Sequence, residues 1–462
     1  MAVNFTLPEY NNACKKWVLI RAIVDNDAKH LIKDVDPNDK VRSDKYRAHG
    51  VLTNFTALTK NGLQGLVFLR DPEVTLPPEL NYLIEDATGS GLSLTQFAQQ
   101  ICGELLETGR YGVLVDFPRA DNLSQEEVES GQFVARFLPY AAEAIINWRT
   151  ERVNGKIQLV QVVLKECIER VLPDGFEIER IDQYRVLKLE DGVYRQEIYN
   201  EKLEPQDLIV PADYNGLPLN YIPFVIMGAE NNDACIDNSP LYDLSVLNLA
   251  MYHNSCDYEE SIFICGQPTV VINVGDLPAD QWKELNGGKF RYGSRSGHVV
   301  GLGGNAILLQ ANPNQLAAQA MKDKIEQATL QGARFITGSN TRETAEGARI
   351  RYSSQNSALY ILTKNESRGI EALAKMACDF VKGANPDDIK FNLNDKYYED
   401  GADPQLIAQA MLMLDRGALS VQELRDYVAD PDKGLIINPD SKEGLEVAQV
   451  PELAGQTDPT AN

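Results

Sequence analysis

The sequence predicts an α+β chain of several lobes, and three observations carry that expectation. A β-rich stretch of short hydrophobic runs and turn residues spans residues 133–226. Strongly periodic helical segments lie before and after it. Between Ser239 and Gly338, two further helical segments flank a compact unit of β-branched runs and glycine turns. At 462 residues the chain can bury a large core and divide into two to four lobes.

Taken in order, residues 1–50 are polar and mixed, with helical patches around Asn11–Val24 and Asp39–His49. Ala57–Pro78 reads as extended, because Gly62 and Gly65 precede Leu66-Val-Phe-Leu and the run ends in Asp71-Pro and Leu76-Pro-Pro. Ser93 and Gln96 then form a capping box, and Phe97, Ile101 and Leu105 repeat every fourth residue toward Gly109. Tyr111–Phe117 reads as a buried strand stopped by Pro118.

The β-rich stretch contains candidate strands Ile157–Val163, Gly175–Ile181, Tyr184–Leu189 and Val193–Tyr199, separated by Pro-Asp-Gly and Asp-Gly turns that suit hairpins. Pro223-Phe-Val-Ile-Met closes it. Ser239-Pro240 opens a helix to about Ile264, and Asn312-Pro313 opens another to about Ile336. In each case a capping side chain precedes a proline at the first helical position. After a Gly338-Ser-Asn-Thr break, a long helical pattern runs from about Glu343 to Lys382, weakened near Tyr352–Asn356. Ile389–Leu393 is a short strand, Asp403-Pro404 caps a helix to Arg416, and Ser420-Val-Gln-Glu423 opens one more.

Composition narrows the function classes. The longest apolar runs, such as Ile157–Leu164, are far too short to span a bilayer, so no membrane role is expected. The start, Met1-Ala-Val-Asn-Phe, shows neither a basic region nor an apolar signal core, which leads us to expect a cytoplasm-like compartment. Seven cysteines without a CxxC pair fit reduced thiols rather than a disulfide framework. A net charge of −23 speaks against a protein that grips nucleic acid through lysine and arginine. It fits either an ordinary solvated surface or an acidic, poorly adhesive wall past which DNA slides.

Motifs for chemistry are sparse. His30, His49, His253 and His298 stand apart from metal-ligand partners, and Asp34-Val-Asp36-Pro-Asn38 lacks the glycine and glutamate of a calcium loop. Neither a GxSxG elbow nor a Walker motif is present. Val299-Val-Gly301-Leu-Gly303-Gly-Asn-Ala306 matches GxGxxA, so a nucleotide-dependent enzyme using Gly301–Ala306 is the rival reading. A dinucleotide site needs a helix to begin inside that turn; here Ile307-Leu-Leu reads as a returning strand, which favours a hairpin. We expect no cofactor, no metal and no catalytic residues.

Several local motifs occur in a telling order. They are Asn61-Gly-Leu-Gln-Gly65-Leu-Val-Phe68, Leu76-Pro-Pro, and Ser93–Pro118 with its Gly109-Arg-Tyr-Gly-Val-Leu-Val-Asp-Phe-Pro. Ile145-Ile-Asn-Trp-Arg149, Ser239-Pro-Leu-Tyr-Asp-Leu through His253, Thr344-Ala345 and Gly417-Ala-Leu-Ser420 follow. Together, from residue 57 to about 430, they resemble the portal proteins of tailed bacteriophages, the rings that connect head to tail.

The resemblance implies a portal fold: mixed α/β wing, two-helix stem, small α/β clip and helical crown. It places the wing at 1–238, stem helices at 239–264 and 313–335, and the clip at 265–312. Residues 336–402 become a tunnel loop and a long helix returning to the wing, 403–430 the crown, and 431–462 an acidic tail. It implies a virion protein at the capsid vertex, assembled in the host cytoplasm as a ring of usually twelve copies. Double-stranded DNA would pass through the ring. A terminase large subunit, which supplies the packaging energy, a head–tail adaptor and the major capsid or scaffold protein would dock on it. Another head–tail connector component is the nearer alternative, though connectors are usually shorter chains. By the same resemblance, Lys322, Lys324, Arg334, Thr337, Ser339, Asn340, Thr341 and Arg342 lie toward the DNA channel, and Trp282, Lys289, Arg291 and Arg295 toward the motor. The charged members have a plainer reading as well, as partners of Asp323, Glu326, Glu343 and Glu346 along their own helices.

Overall fold

The computed structural model describes residues 3–117, 134–266 apart from 154 and 174, 269–287, 299–309, 315–331 and 345–395, with 397, 412 and 416. The chain forms two units, Met1–Asp395 and Lys396–Asn462, and the description below concerns the first. Its architecture is α+β.

Helix α1 (Pro8–Val24) begins on a proline and buries Ala13, Trp17, Ile20 and Ile23 along one stripe. Its Trp17 indole donates to the carbonyl of Thr108 at 2.9 Å. Helix α2 (Lys40–His49) is capped by the Asp39 carboxylate, which accepts from the Arg42 amide. Helix α3 (Phe55–Val67) corrects the sequence reading, which took this stretch as extended. Asn54 caps it by accepting from the Ala57 amide at 2.9 Å, and Phe55, Thr56, Thr59 and Val67 are buried. Glycines inside a helix cost about 1 kcal/mol each against alanine, and the packing of α3 outweighs that. Only Glu73–Thr75 of the stretch is a strand, β1, paired with β12 (Lys390–Asn392).

A single turn of helix, α4 (Tyr82–Glu85), precedes α5 (Leu94–Thr108), which carries both halves of the Ser93/Gln96 capping box. It ends at Gly109, whose φ of 73° is left-handed and whose missing side chain leaves room for the Asn238 carbonyl. Strand β2 (Arg110–Asp116) follows at once, between β3 (Arg136–Ala141) and β9 (Phe224–Gly228), all antiparallel. Arg110 through Val115 are buried without alternation, as for a strand covered on both faces.

The second sheet is a five-stranded antiparallel meander of β4 (Ile145–Val153), β5 (Lys156–Val171), β6 (Ile178–Glu190), β7 (Val193–Tyr199) and β8 (Pro205–Ile209). Gly175–Ile181 and Tyr184–Leu189, read from sequence as two strands, belong to the single strand β6 and the turn before it. Its pairing with β5 runs unbroken from Lys188 to Ile178, so no turn falls at Asp182-Gln183.

Behind the sheets come α6 (Tyr242–Gly266), β10 (Thr269–Asn273), α7 (Ala279–Leu285), β11 (Asn305–Leu309), α8 (Leu316–Leu330) and α9 (Ala345–Ala377). The backbone of α9 stays helical through Tyr352–Asn356, where the sequence pattern weakens. The helix starts expected at Asn312-Pro313, Asp403 and Ser420 lie outside the described residues.

Two polar features hold the helical layer. The Arg21 guanidinium of α1 reaches Glu104 at 2.5 Å and Glu107 at 2.6 Å on α5, and Glu143 at 3.1 Å. Lys60 of α3 pairs with Glu107 as well. Burial alone would lower the Arg21 pKa, but its hydrogen bonds to Glu104 and Glu143 outweigh that and hold it above its ordinary value. On α9, Glu366 is fully buried beside the Cys102 thiol of α5, and its carboxyl has no N–H or O–H donor among the described residues.

Two predictions follow from these groups. Arg21→Ala leaves three carboxylates facing one another and is expected to cost about 3 kcal/mol, read as a lowered urea midpoint at unchanged slope. Burial pushes the Glu366 carboxyl well above the usual carboxylate range, so the folded state keeps a proton that the unfolded state gives up. Stability therefore falls as pH rises from the ordinary glutamate value toward the folded one, and levels off above it. Glu366→Gln is expected to abolish that slope and to melt higher at neutral pH; thermal melts across pH check it.

Candidate functional site

The arm formed by α6, β10, α7, β11 and α8 exposes large apolar side chains such as Ile264, Leu302 and Leu316, and it is built from a well-seated base. Ser239 opens α6: its hydroxyl accepts from the Leu241 amide and lies 3.1 Å from the Leu106 carbonyl, to which it donates. One turn further, the Asn248 side chain accepts from both the amide and the hydroxyl of Thr56, at 3.1 and 3.0 Å. The same side chain donates to the Thr53 carbonyl at 3.0 Å. Ser255 accepts from the Val51 amide at 2.9 Å, and Tyr46 donates to Asp257 at 2.7 Å. Tyr252 and Cys256 complete an apolar cluster with Ile23, Ile32 and Tyr46. Gly50 is required there, because a side chain on it would overlap the Cys256 sulfur.

Burial on α6 stops at Cys256; the ten residues from Asp257 to Gly266 are half-buried or exposed. Helix α8 packs along α6, and only its Ala328 is fully buried. At the base, an apolar cavity of about 270 Å³ is lined by Leu63, Leu106, Leu241, Leu244, Leu359 and Leu362, with Gln331 at its edge.

The tip is a two-stranded antiparallel ribbon, β10 with β11, in register from Thr269↔Leu309 to Asn273↔Asn305. The two strands are joined by residues 274–304, which include α7, and the GxGxxA sequence forms the last turn of that connection before β11 rather than a tight hairpin. Gly304 donates to the Gly301 carbonyl at 2.9 Å, Gly301 donates to the Val274 carbonyl at 3.1 Å, and Asn305 already belongs to the returning strand. A strand therefore stands where a dinucleotide fold places its helix. Helix α7, which the sequence reading missed, is joined to this unit through Asn286, whose side chain exchanges hydrogen bonds with the backbone of Val299 at 3.0 and 3.1 Å.

Of the residues the sequence singled out, Lys322 is exposed and Lys324 half-buried on α8, and Trp282 is half-buried on α7. Asp323, between the two lysines, accepts from Gln319 at 2.7 Å. Arg334, Thr337, Ser339, Asn340, Thr341, Arg342, Lys289, Arg291 and Arg295 lie outside the described residues. Sequence reading missed the seating residues Asn248, Thr56 and Ser255, and the buried Arg110. The latter lies 3.8 Å over the Trp148 ring, donates to the Ala234 carbonyl, and is lowered by burial to about 10. The available signal was a polar residue inside an apolar run, as at Arg110 and Asn248. Among the described residues, no cluster of His, Cys, Asp and Glu could hold a metal, and no helix is long and apolar enough to cross a membrane.

Residues 240–381 match the model of a domain of unknown function, DUF4055, which begins at α6 and ends just past α9. No curated protein matches the chain. Among solved structures it is similar to a chain of the virion of a native gene transfer agent particle, at 13% identity and a TM-score of 0.42, covering 83% of this chain and 92% of that one. It is also similar to a chain of the neck of the native particle computed with C12 symmetry, at 12% identity and a TM-score of 0.42, covering 86% and 94%. A chain of the neck of the empty particle computed with C6 symmetry gives 12%, 0.42, 83% and 92%.

The seating of the arm is testable. Asn248→Leu keeps the side-chain size but strands the Thr56 amide and the Thr53 carbonyl. It is expected to cost about 2 kcal/mol, measured by urea unfolding, with Ser245→Ala as a neighbouring control.

Proposed function

We propose that the chain is the subunit of a portal-type ring, through which double-stranded DNA is packaged and ejected and on which motor and tail dock. One observation carries the reading: a seated two-helix arm ends in a small two-stranded unit and leaves large apolar side chains in solvent. Leu302 is 88% exposed, Leu316 78% and Ile307 54%. Two-stranded ribbons are marginal alone, and clustered exposed apolar residues mark surfaces that another chain covers. Copies arranged by rotation cover one another through a single repeated heterologous contact that closes into a ring. The sequence motifs from residue 57 to about 430 support the portal form of that ring, with about twelve copies at a capsid vertex.

In this reading α6 and α8 are the stem and β10, α7 and β11 the clip. Lys322, Lys324, Arg334 and residues 337–342 lie toward the channel, and Trp282, Lys289, Arg291 and Arg295 toward the terminase. The head–tail adaptor and the major capsid or scaffold protein are the remaining partners. The ring carries out no chemistry of its own; the motor supplies the energy. The net charge of −23 suits a duct whose wall does not hold DNA.

Electron microscopy with native mass on the same sample is expected to show rings with a central hole and about a dozen subunits. A monomer or dimer that persists in the presence of scaffold would overturn the ring. Deleting 266–311 is expected to leave a folded protein that no longer recruits the motor, and retained packaging would remove the clip from that role.

A further inference from the structure

The β5–β6 hairpin is longer than the sheet that carries it. Strand β4 leaves β5 at Leu164 and β7 leaves β6 at Tyr184, while β5 and β6 stay paired as far as Val171↔Ile178. Lys165–Val171 and Ile178–Gln183 therefore form a ribbon whose two outer edges are unpaired among the described residues. Such a ribbon is marginal in water by itself. It also carries apolar side chains in solvent: Ile178 is 55% exposed, Val171 61%, and Phe176, in the connection, 92%.

Its charges are paired across the two strands, as they are along the rest of the sheet. Lys165 pairs with Asp182 at 2.7 Å, Arg170 with Glu179 at 3.1 Å and Arg180 with Glu169 at 3.2 Å, each across the two strands. The two strands carry three cations against four acids, the fourth being Glu166, and the connection adds Asp174 and Glu177, so what characterises the ribbon is the alternation of its charges and not a low net charge. Charged side chains, lysine above all, and proline are what blunt an edge against chance pairing; here the charges, Lys165 included, are paired across the ribbon and neither strand has a proline.

We propose that the ribbon is an assembly surface whose partner is the same ribbon of a second copy, docked edge to edge, β6 of one copy beside β5 of the next. Two ribbons lying side by side in the same direction bring β6 and the next β5 together antiparallel, as within the hairpin. In matching register, Arg180 then meets the next copy's Glu169, Glu179 meets Arg170, Asp182 meets Lys165, and Ile181 and Ile178 meet Ile168 and Val171. The pairs that hold the hairpin together recur between copies, so the surface is complementary to itself while the acidic remainder repels. The contact is heterologous and propagates by rotation. It rests on the ring reading only for the arrangement of copies side by side.

Cys167 is exposed and lies across the ribbon from Asp182, which provides the test. One preparation keeps Cys167; the other carries Cys167→Ser and Asp182→Cys. The two full-length proteins are mixed, assembled and oxidised, and linked peptides are identified by mass spectrometry. A link between Cys167 of one preparation and the introduced thiol at position 182 of the other is expected, because neither preparation can form it alone. Adding Ile168→Lys and Ile178→Lys to both, with circular dichroism unchanged, is expected to lower its yield at least tenfold. Absence of the link, with rings visible or without them, overturns the proposal; a link in a sample without rings upholds it and tells against the ring instead. A yield that the lysine pair leaves unchanged also overturns it.

Discussion

The seating of α6 is the constraint on which the rest of the molecule depends. A helix of 25 residues that is buried only over its first half can be aimed only by what grips that half. Apolar packing by itself is non-directional and tolerates rotation and sliding. The hydrogen bonds from Asn248 to Thr53, from Thr56 to Asn248, from Val51 to Ser255 and from Tyr46 to Asp257 do not, because each requires one rotation and one height. They also come from a single connected stretch, α2, α3 and the turn between them. The arm is in effect bolted to those two helices. Arg21 and Lys60 in turn tie α1 and α3 to α5 through Glu104 and Glu107.

This arrangement divides the chain into a part that is satisfied within one copy and a part that is not. Core strands such as β2 and helices such as α5 bury their apolar residues within one copy. The arm and the β5–β6 ribbon instead keep isoleucine, leucine and phenylalanine in water and end in two-stranded pieces with open edges. Burial of apolar surface supplies about 25 cal/mol per Å², so in the proposed ring the surface left exposed in one copy is available for contact with another. A rigid base is what makes that surface usable, since ordering a loose arm on docking would consume the gain as lost conformational entropy.

How far this could be read from the sequence depended on the range of the interaction. The capping box at Ser93 and Gln96 and the Ser239-Pro240 helix start are local, and the residues that decide them are near neighbours. The turn and returning strand expected around Gly301–Ala306 are present, but the partner of that strand is β10, across a connection that holds α7, and not the residues just before the turn. Helix α3 was missed because Gly62 and Gly65 suggest a breaker, whereas burial of Phe55, Thr56 and Val67 decided the matter from outside the segment. The Arg21 cluster joins residues 83, 86 and 122 positions apart, which no periodicity reports. Strand β6 was split in two although no turn sequence separates its halves; its register with β5 shows a continuous strand. Of the candidate site, the arm was legible as two helices around a strand-and-turn unit, while α7 and the seating residues were not. The loop residues 337–342 lie outside the described residues, and their assignment rests on the resemblance.

In the proposed ring, charge separates the two faces that neighbouring copies would present. A chain at −23 repels its own copies, and the repulsion is screened only beyond about 8 Å at physiological salt. Contacts between copies must therefore form where the local charge is small or alternates. Helix α6 carries Asp243, Asp257, Glu259 and Glu260 and no lysine or arginine, whereas α8 balances Lys322 and Lys324 with Asp323 and Glu326. A neutral α8 set against the acidic α6 of a neighbour costs far less than α6 against α6. The ribbon at β5 and β6 solves the same problem by alternation. With α8 set against α6, its two lysines would let acidic copies approach one another. A wall whose cations are offset by acids on the same helix would let a polyanion pass without gripping it.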